Sequence, residues 1–263
     1  MSIQLDHIVI NTQFETDTAA RLFEGLGFQL TPRGSHPTLG SINHLMVFEH
    51  AYLELIGLPR GGDKVRQELI DSPIGLNGLV FASKDAGTTR DAVEKAGFDA
   101  QPVQNFARPL TIEGQEYEAR FSAVRLALDS FAAGRVYFCQ HHTPELIWRK
   151  NWLYHPNAVT GIVELTVAST DPRATRERFD RLGAIDGDFA LTAADTATLA
   201  ARFGELSQVG AERIERFAAV TLRSSDPQIV AARAASLGLP HDSTSQRTVV
   251  ALPAFGALIE VVA

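Results

Sequence analysis

Apolar positions along the chain alternate between two periods. Short runs rich in Val, Ile, Leu and Phe give way to stretches with apolar residues at helical spacing, and each stretch closes on a glycine. The pattern occurs four times. LDHIVINT (5–12) leads into TDTAARLFEGLGF, and LNGLVFAS (76–83) into DAGTTRDAVEKAGF. IVELTVAS (162–169) leads into DPRATRERFDRLGA, and FAAVTLRS (217–224) into DPQIVAARAASLGL. The step from strand start to closing glycine is 22 residues from Leu5 to Gly27, then 21 from Leu76 to Gly97, Ile162 to Gly183 and Phe217 to Gly238. Each helix opens on Asp or Thr as its N-cap, with Pro172 and Pro227 at the next position in two of them. The closing glycines suit a left-handed cap.

The segments after the helices separate two architectures. A doubly wound fold would pass straight to another strand–helix pair. Here the first copy continues with FQLTPRG (28–34), INHLMVFE (42–49) and AYLELIGL (51–58), the last two joined at His50. The second continues with ARFSAVRLAL (119–128) and RVYFCQHH (135–142), and the fourth ends in RTVVALP (247–253) and ALIEVVA (257–263). The unit is therefore β-α-β-β-β. The third copy is degenerate: AIDGDFALTA is succeeded by DTATLAARFGE, which reads as a helix, so at least one strand is lost or shortened.

Composition narrows the function classes. At 263 residues, 45% hydrophobic and 21% charged, the chain is a folded protein and not a disordered one. A net charge of -7 without a Lys/Arg block argues against nucleic acid as a partner. No apolar run reaches the roughly 18 residues of a membrane span. Asp6 and His7 interrupt the N-terminal apolar stretch, so no secretory signal is expected and the expected location is cytoplasmic. The single cysteine, Cys139, excludes an intramolecular disulfide and CxxC zinc sites. Motifs for phosphate cradles and for a nucleophile elbow are absent from the sequence. Of eight histidines, three lie between positions 141 and 155, the one compositional hint of chemistry.

The repeated βαβββ unit resembles the vicinal oxygen chelate superfamily, which includes glyoxalase I, extradiol dioxygenases, fosfomycin-resistance enzymes and bleomycin-binding proteins. HPTLGSINHLMVFEHAYLELIGL (36–58) looks like the core of glyoxalase-like domain proteins, and FCQHHTPELIW…HPN (138–157) resembles a subset of them. The resemblance implies an α+β fold of four βαβββ modules, the third degenerate, paired into two half-barrel units. The halves are expected at 1–148 and 159–263, pairing modules one with two and three with four. It also implies a divalent ion (Fe, Mn, Zn, Ni or Mg) gripping neighbouring oxygens of a small-molecule ligand.

The superfamily takes its ligands from the first and last strands of each module. In module one these positions are His7 and Glu54, and strand alternation puts Leu5, His7 and Val9 on one face. In module two the first position is Gly78, which has no ligand atom. Aligning Tyr52 with Tyr137 puts Cys139 opposite Glu54 and makes His141, two residues on, the third candidate ligand. Modules three and four offer Glu164, Ala219 and Glu260, a set without histidine that reads as structural. His36, Asn43, Arg108 and Arg120 are the candidate substrate contacts, an arginine being able to hold a carboxylate through two parallel hydrogen bonds. Trp148, Trp152, Tyr154 and His155 read as packing of the linker between halves. Two functions fit: a metal-dependent lyase, isomerase or dioxygenase acting on a small oxygenated metabolite, or a non-catalytic protein that binds or sequesters one. A homodimer is compatible with either.

Overall fold

The computed structural model describes residues 2–61 and 64–263. After a two-residue strand, β1 (Ser2–Ile3), module one runs β2 (Leu5–Gln13), α1 (Thr16–Gly25), β3 (Gly34–His36), β4 (Ser41–Val47) and β5 (Tyr52–Gly57). A short helix, α2 (Gln67–Asp71), leads to module two: β6 (Gly75–Ala82), α3 (Ala86–Lys95), β7 (Gln104–Ile112), β8 (Gln115–Arg125) and β9 (Arg135–His141). Their strands form one eight-stranded sheet in the order β3-β4-β5-β2-β6-β9-β8-β7. Each module closes a parallel pair, β2 with β5 and β6 with β9, and the modules join through antiparallel β2 and β6.

The second half repeats this with losses. Module three has β10 (Val159–Ala168), α4 (Pro172–Asp180), β11 (Ala184–Ile185), β12 (Ala190–Ala194) and α5 (Thr196–Phe203). Module four has β13 (Arg216–Ser224), α6 (Pro227–Ser236), β14 (His241–Thr244), β15 (Arg247–Leu252) and β16 (Ala257–Val262). The six-stranded sheet runs β12-β10-β13-β16-β15-β14, while β11 leaves it to pair with β1. The expected four modules, third degenerate, in two half-barrels are what the chain forms. In module three, helix α5 stands where outer strands would be. Its Leu199 and Phe203 pack on Ala168, Ala219, Val249 and Leu258, covering the concave face of that sheet.

One irregularity recurs in every module and decides which side chains face inward. Leu5 pairs with Phe81 and His7 with Val80, so Asp6 is an extra residue on β2. The same shift makes Asn77 extra on β6, Val163 on β10 and Ala218 on β13. These are the second residues of LDH, LNG, IVE and FAA, equivalent positions of the four copies. A bulge breaks the two-residue period. Leu5 therefore packs with Ile8 and Ile10 in the core beneath the helices, whereas Val9 packs on the opposite, concave side, which His7 also lines. The expectation that Leu5 shares the His7 face is corrected by this bulge.

The helix-side core is continuous across both sheets, from Phe23, Phe28 and Phe138 to Phe217, Val220 and Ile259. Three module helices have the expected caps: Asp85, Asp171 and Asp226 accept from the backbone N–H of Thr88, Ala174 and Gln228. Helix α1 departs, since its N-cap is Glu15 with no side-chain cap bond, and the Thr16 hydroxyl bonds Thr12 instead. The closing glycines 27, 97, 183 and 238 all have positive φ. FQLTPRG contributes only Gly34 to a strand: Pro32 lacks an N–H, and Thr31 is tied to Leu45 through both backbone and hydroxyl. Strands β7 and β14, unexpected from sequence, lie at sheet edges, where polar residues and Pro109 are tolerated. Among the described residues, no helix is long and apolar enough to cross a membrane.

Candidate functional site

The concave face of the first half-barrel is apolar around a polar centre. Asp6, on the bulge, is 3% exposed and stands between two histidines. His7 Nδ1–H donates to Asp6 Oδ1 (2.5 Å), and His141 Nε2–H donates to the same carboxylate (3.1 Å). Burial alone would raise the Asp6 pKa, but the charge and hydrogen bonds of His141 and His7 outweigh it and hold Asp6 well below the usual carboxylate range. The His7 ring stacks on Tyr52 at 4.4 Å and is thereby fixed in orientation.

With Nδ1 engaged, His7 presents Nε2 to the cavity. Glu54 Oε2 lies 3.7 Å from it, and the Tyr137 hydroxyl 3.3 Å. The other Glu54 oxygen accepts from Asn43 Nδ2 at 2.6 Å. Burial pushes Glu54 up, but His7 and the Asn43 hydrogen bond more than reverse it, so Glu54 is ionised. A carboxylate facing an imidazole nitrogen calls for a positive charge between them, which a proton on Nε2 supplies as well as a metal ion does. Their separation also fits two ligands each about 2.0–2.2 Å from one metal ion. The carboxylate behind His7 is the outer partner that metal-bound histidines characteristically have.

Tyr137 corrects the sequence register. His7 pairs with Tyr52 across the parallel ladder of module one, and Gly78 with Arg135 across that of module two. Tyr52 is thus equivalent to Arg135, and Glu54 to Tyr137. The expected alignment of Tyr52 with Tyr137 is displaced by two residues, so Cys139 is not the counterpart of Glu54. His141 lies further along β9, on Asp6, and its buried Nδ1 has no partner among the described residues. Asp6, Cys139 and His141 are a group whose ligand atoms all lie within 4.8 Å of one another. Burial raises the Cys139 thiol, which makes it a poor metal ligand at neutral pH.

His36 and Asn43 line the same cavity as His7 and Glu54. His36 bonds the Ser41 hydroxyl at 3.2 Å, and burial lowers its pKa to about 4, against a smaller opposing effect of Glu54, so it is neutral. Arg108 lies in the cavity wall; Arg120 is exposed on β8, in a shallow depression with Glu118 and His142, outside this cavity. Arg66 and Arg125, which sequence reading missed, also line it. Arg66 and Arg135 share Glu68 and hold it at about 2, against burial. The aromatic stretch divides its work. Trp148 packs on the His141 and Tyr52 rings, at 4.9 and 5.9 Å, whereas His155 bonds Gln29 N and Val47 O and pins the linker. The cavity measures about 40 Å³, far below the roughly 300–1,000 Å³ of drug-sized sites, so in this state it admits only a very small ligand.

In the second half-barrel, Glu164 and Glu260 occupy the positions of His7 and Tyr137, as the pairings Thr166–Ala219 and Thr221–Glu260 require, and Thr192 that of Glu54. Arg202, from α5, sits between them: its Nη1 donates to Glu164 at 2.7 Å and its Nη2 to Glu260. Arg247 donates to Glu260 as well (2.5 Å). The equivalent locus therefore carries the protein's own cation, consistent with a structural role.

Comparison with known proteins places this geometry. The family model described as a glyoxalase-like domain matches residues 5–183. No curated protein matches the chain. Among solved structures, a hypothetical protein from Staphylococcus aureus superposes with a TM-score of 0.68 at 11% identity, over 98% of both chains. A mutant of 4-hydroxymandelate synthase from Streptomyces coelicolor gives 0.59 at 13% identity, over 98% of this chain and 92% of that one. A xylose isomerase-like TIM barrel/4-hydroxyphenylpyruvate dioxygenase fusion protein gives 0.56 at 12%, over 98% of this chain and 48% of that one. At such identities these structures share the fold alone. The family match, the bulged modules and the paired half-barrels agree: the chain belongs to the glyoxalase-like domain family of the vicinal oxygen chelate superfamily.

Proposed function

We propose that the N-terminal half-barrel is a divalent-metal site acting on a small oxygenated metabolite, in a lyase, isomerase or dioxygenase step. The observation that carries this reading is His7 Nε2 facing Glu54 Oε2 at 3.7 Å, with Asp6 locked behind the imidazole. His7 and Glu54 would hold the ion; His141, the third ligand expected from the sequence, donates to Asp6 and acts on the site through that carboxylate. When bound, such an ion supplies Lewis acidity, stabilising negative charge that develops on a substrate oxygen. The chain's own residues prepare the site. Asp6 fixes the His7 tautomer, Asn43 orients Glu54, and Ile147 supplies an apolar part of the cavity wall. Tyr137, its pKa raised by burial, stays protonated and has its hydroxyl 3.3 Å from His7 Nε2.

Calorimetric titration of chelator-treated protein with Mn²⁺ and Zn²⁺ tests the reading. One ion per chain is expected to bind. His7→Ala and Glu54→Gln should abolish binding, and Asp6→Asn should weaken it about 10–100-fold. Wild-type protein that binds no divalent ion would favour a second reading, and His7→Ala protein that binds an ion as wild type does would overturn the assignment of the ion to His7 and Glu54. The second reading is a metal-free protein binding the same small ligand, and Arg108, a cation in the cavity wall, is what speaks for it.

A further inference from the structure

Arg108 is the anomaly of this cavity. It projects from the edge strand β7, yet ranks among the largest fully buried side chains of the molecule. Among the described residues it makes no hydrogen bond and no ion pair, and its Nε is buried without an acceptor. Glu54 is the carboxylate whose charge it feels, but that group is already held by Asn43 and faces His7. The backbone leaves room for the guanidinium: a β-carbon at Gly34, on the strand beside β7, would collide with Arg108 Nε and with Asn43 Oδ1. Asn43 Oδ1 is itself buried and has no partner among the described residues.

A second cation repeats the pattern. Arg125 lines the cavity, lies over the Tyr137 ring at 5.9 Å and donates to the neutral Gln104, with no acid within ion-pair distance among the described residues. Its Nε is also orphaned. Arg66, by contrast, is neutralised by Glu68. A buried charge that is neither paired nor hydrogen-bonded is among the costliest groups a fold can carry, and an apolar side chain of like size would be more stable there. Such a group persists where a ligand completes it. A planar guanidinium with free N–H groups is complementary to a carboxylate. The local excess of positive charge in a chain of net charge -7 also draws anions to this mouth in particular.

We propose that the ligand of this cavity is a small organic acid whose carboxylate is received by Arg108, with Arg125 as the second unpaired cation of the site. This deepens the metal-site reading and rests on the same cavity being the ligand site, but it does not require the metal. The cavity volume limits the acid to a few heavy atoms beyond its carboxylate, or requires the cavity wall to give way.

The test uses the full chain, chelator-treated, at fixed ionic strength, titrated with oxalate, acetate and inorganic phosphate. Oxalate is expected to bind the wild type, and Arg108→Leu to weaken it at least tenfold. Arg108→Leu should fold, since it removes an uncompensated charge. Arg108→Lys, which keeps the charge and loses the fork, should fall between and serves if the first variant does not fold. Oxalate binding unchanged in either variant overturns the proposal, as does a wild type that binds none of the three. Phosphate binding more tightly than oxalate overturns the carboxylate assignment. Oxalate binding retained in His7→Ala protein that has lost Mn²⁺ affinity would separate this proposal from the metal reading and support it alone.

Discussion

At the scale of the residue, the site is a set of ionisable groups whose states are fixed by burial and by one another. Asp6 is held ionised by two histidines, Glu54 is ionised beside an imidazole, and His36 is neutral because burial lowers it to about 4. His36 makes stability depend on pH in a definite direction. In the unfolded chain it takes up a proton near the ordinary histidine value of 6.5, whereas the folded chain resists until about 4. Between these values the unfolded state binds more protons, so stability is complete above about pH 6.5 and falls as pH drops towards 4. The loss attributable to His36 is on the order of 3 kcal/mol over that window. Urea unfolding at pH 7 and pH 4.5 should show a smaller acid loss in His36→Gln than in wild type. An equal loss in both would remove His36 as its source. His7 and Glu54 were legible in the sequence as polar residues within apolar strands. Asp6 was not, because strict alternation points it at the helices, and the bulge that turns it inward exists only through pairing with β6.

At the scale of the element, local chemistry was readable and edge chemistry was not. The capping aspartates and closing glycines act through neighbours a few residues away, so sequence alone located them. Strands β7 and β14 are half-polar edges whose pairing partners supply what their composition lacks. The bulges are the elements' shared functional device, since each sets the next residue (His7, Gly78, Glu164 or Ala219) towards the concave face. Gly78 also shows how tightly the module junction is packed: a β-carbon there would lie 2.7 Å from Val9 Cβ. Gly78→Ala is expected to cost about 1–3 kcal/mol through overpacking. A urea midpoint lowered at unchanged slope would register it, and an unaltered midpoint would mean that β2 and β6 separate more easily than their pairing implies.

At the scale of the whole molecule, one architecture is used twice with opposite outcomes. In the N-terminal half the concave face keeps a cavity between His7 and Glu54. In the C-terminal half module three has exchanged outer strands for α5, which fills the trough and places Arg202 between Glu164 and Glu260. Removing Arg202 leaves two largely buried carboxylates facing each other. Arg202→Ala is therefore expected to destabilise the fold by about 3 kcal/mol, the lower end for a broken buried pair because Arg202 retains some exposure. Adding Glu164→Gln to Arg202→Ala should recover much of that loss in chemical denaturation. No recovery would mean that α5 packing, and not charge, carries the effect.

The four-module repeat, the type of each central strand and helix, the loss in module three and the polar residues His7 and Glu54 were all legible in the order of amino acids. These depend on periodicity, caps and glycines, which act within a few residues. Only the tertiary structure decided which residues meet across modules: Asp6 with His141, Tyr137 with His7, Arg202 with the two glutamates, and Arg108 with no partner among the described residues. A one-residue bulge or a two-residue register shift reverses such relations without altering local composition, because strand pairing is set by long-range packing of whole faces.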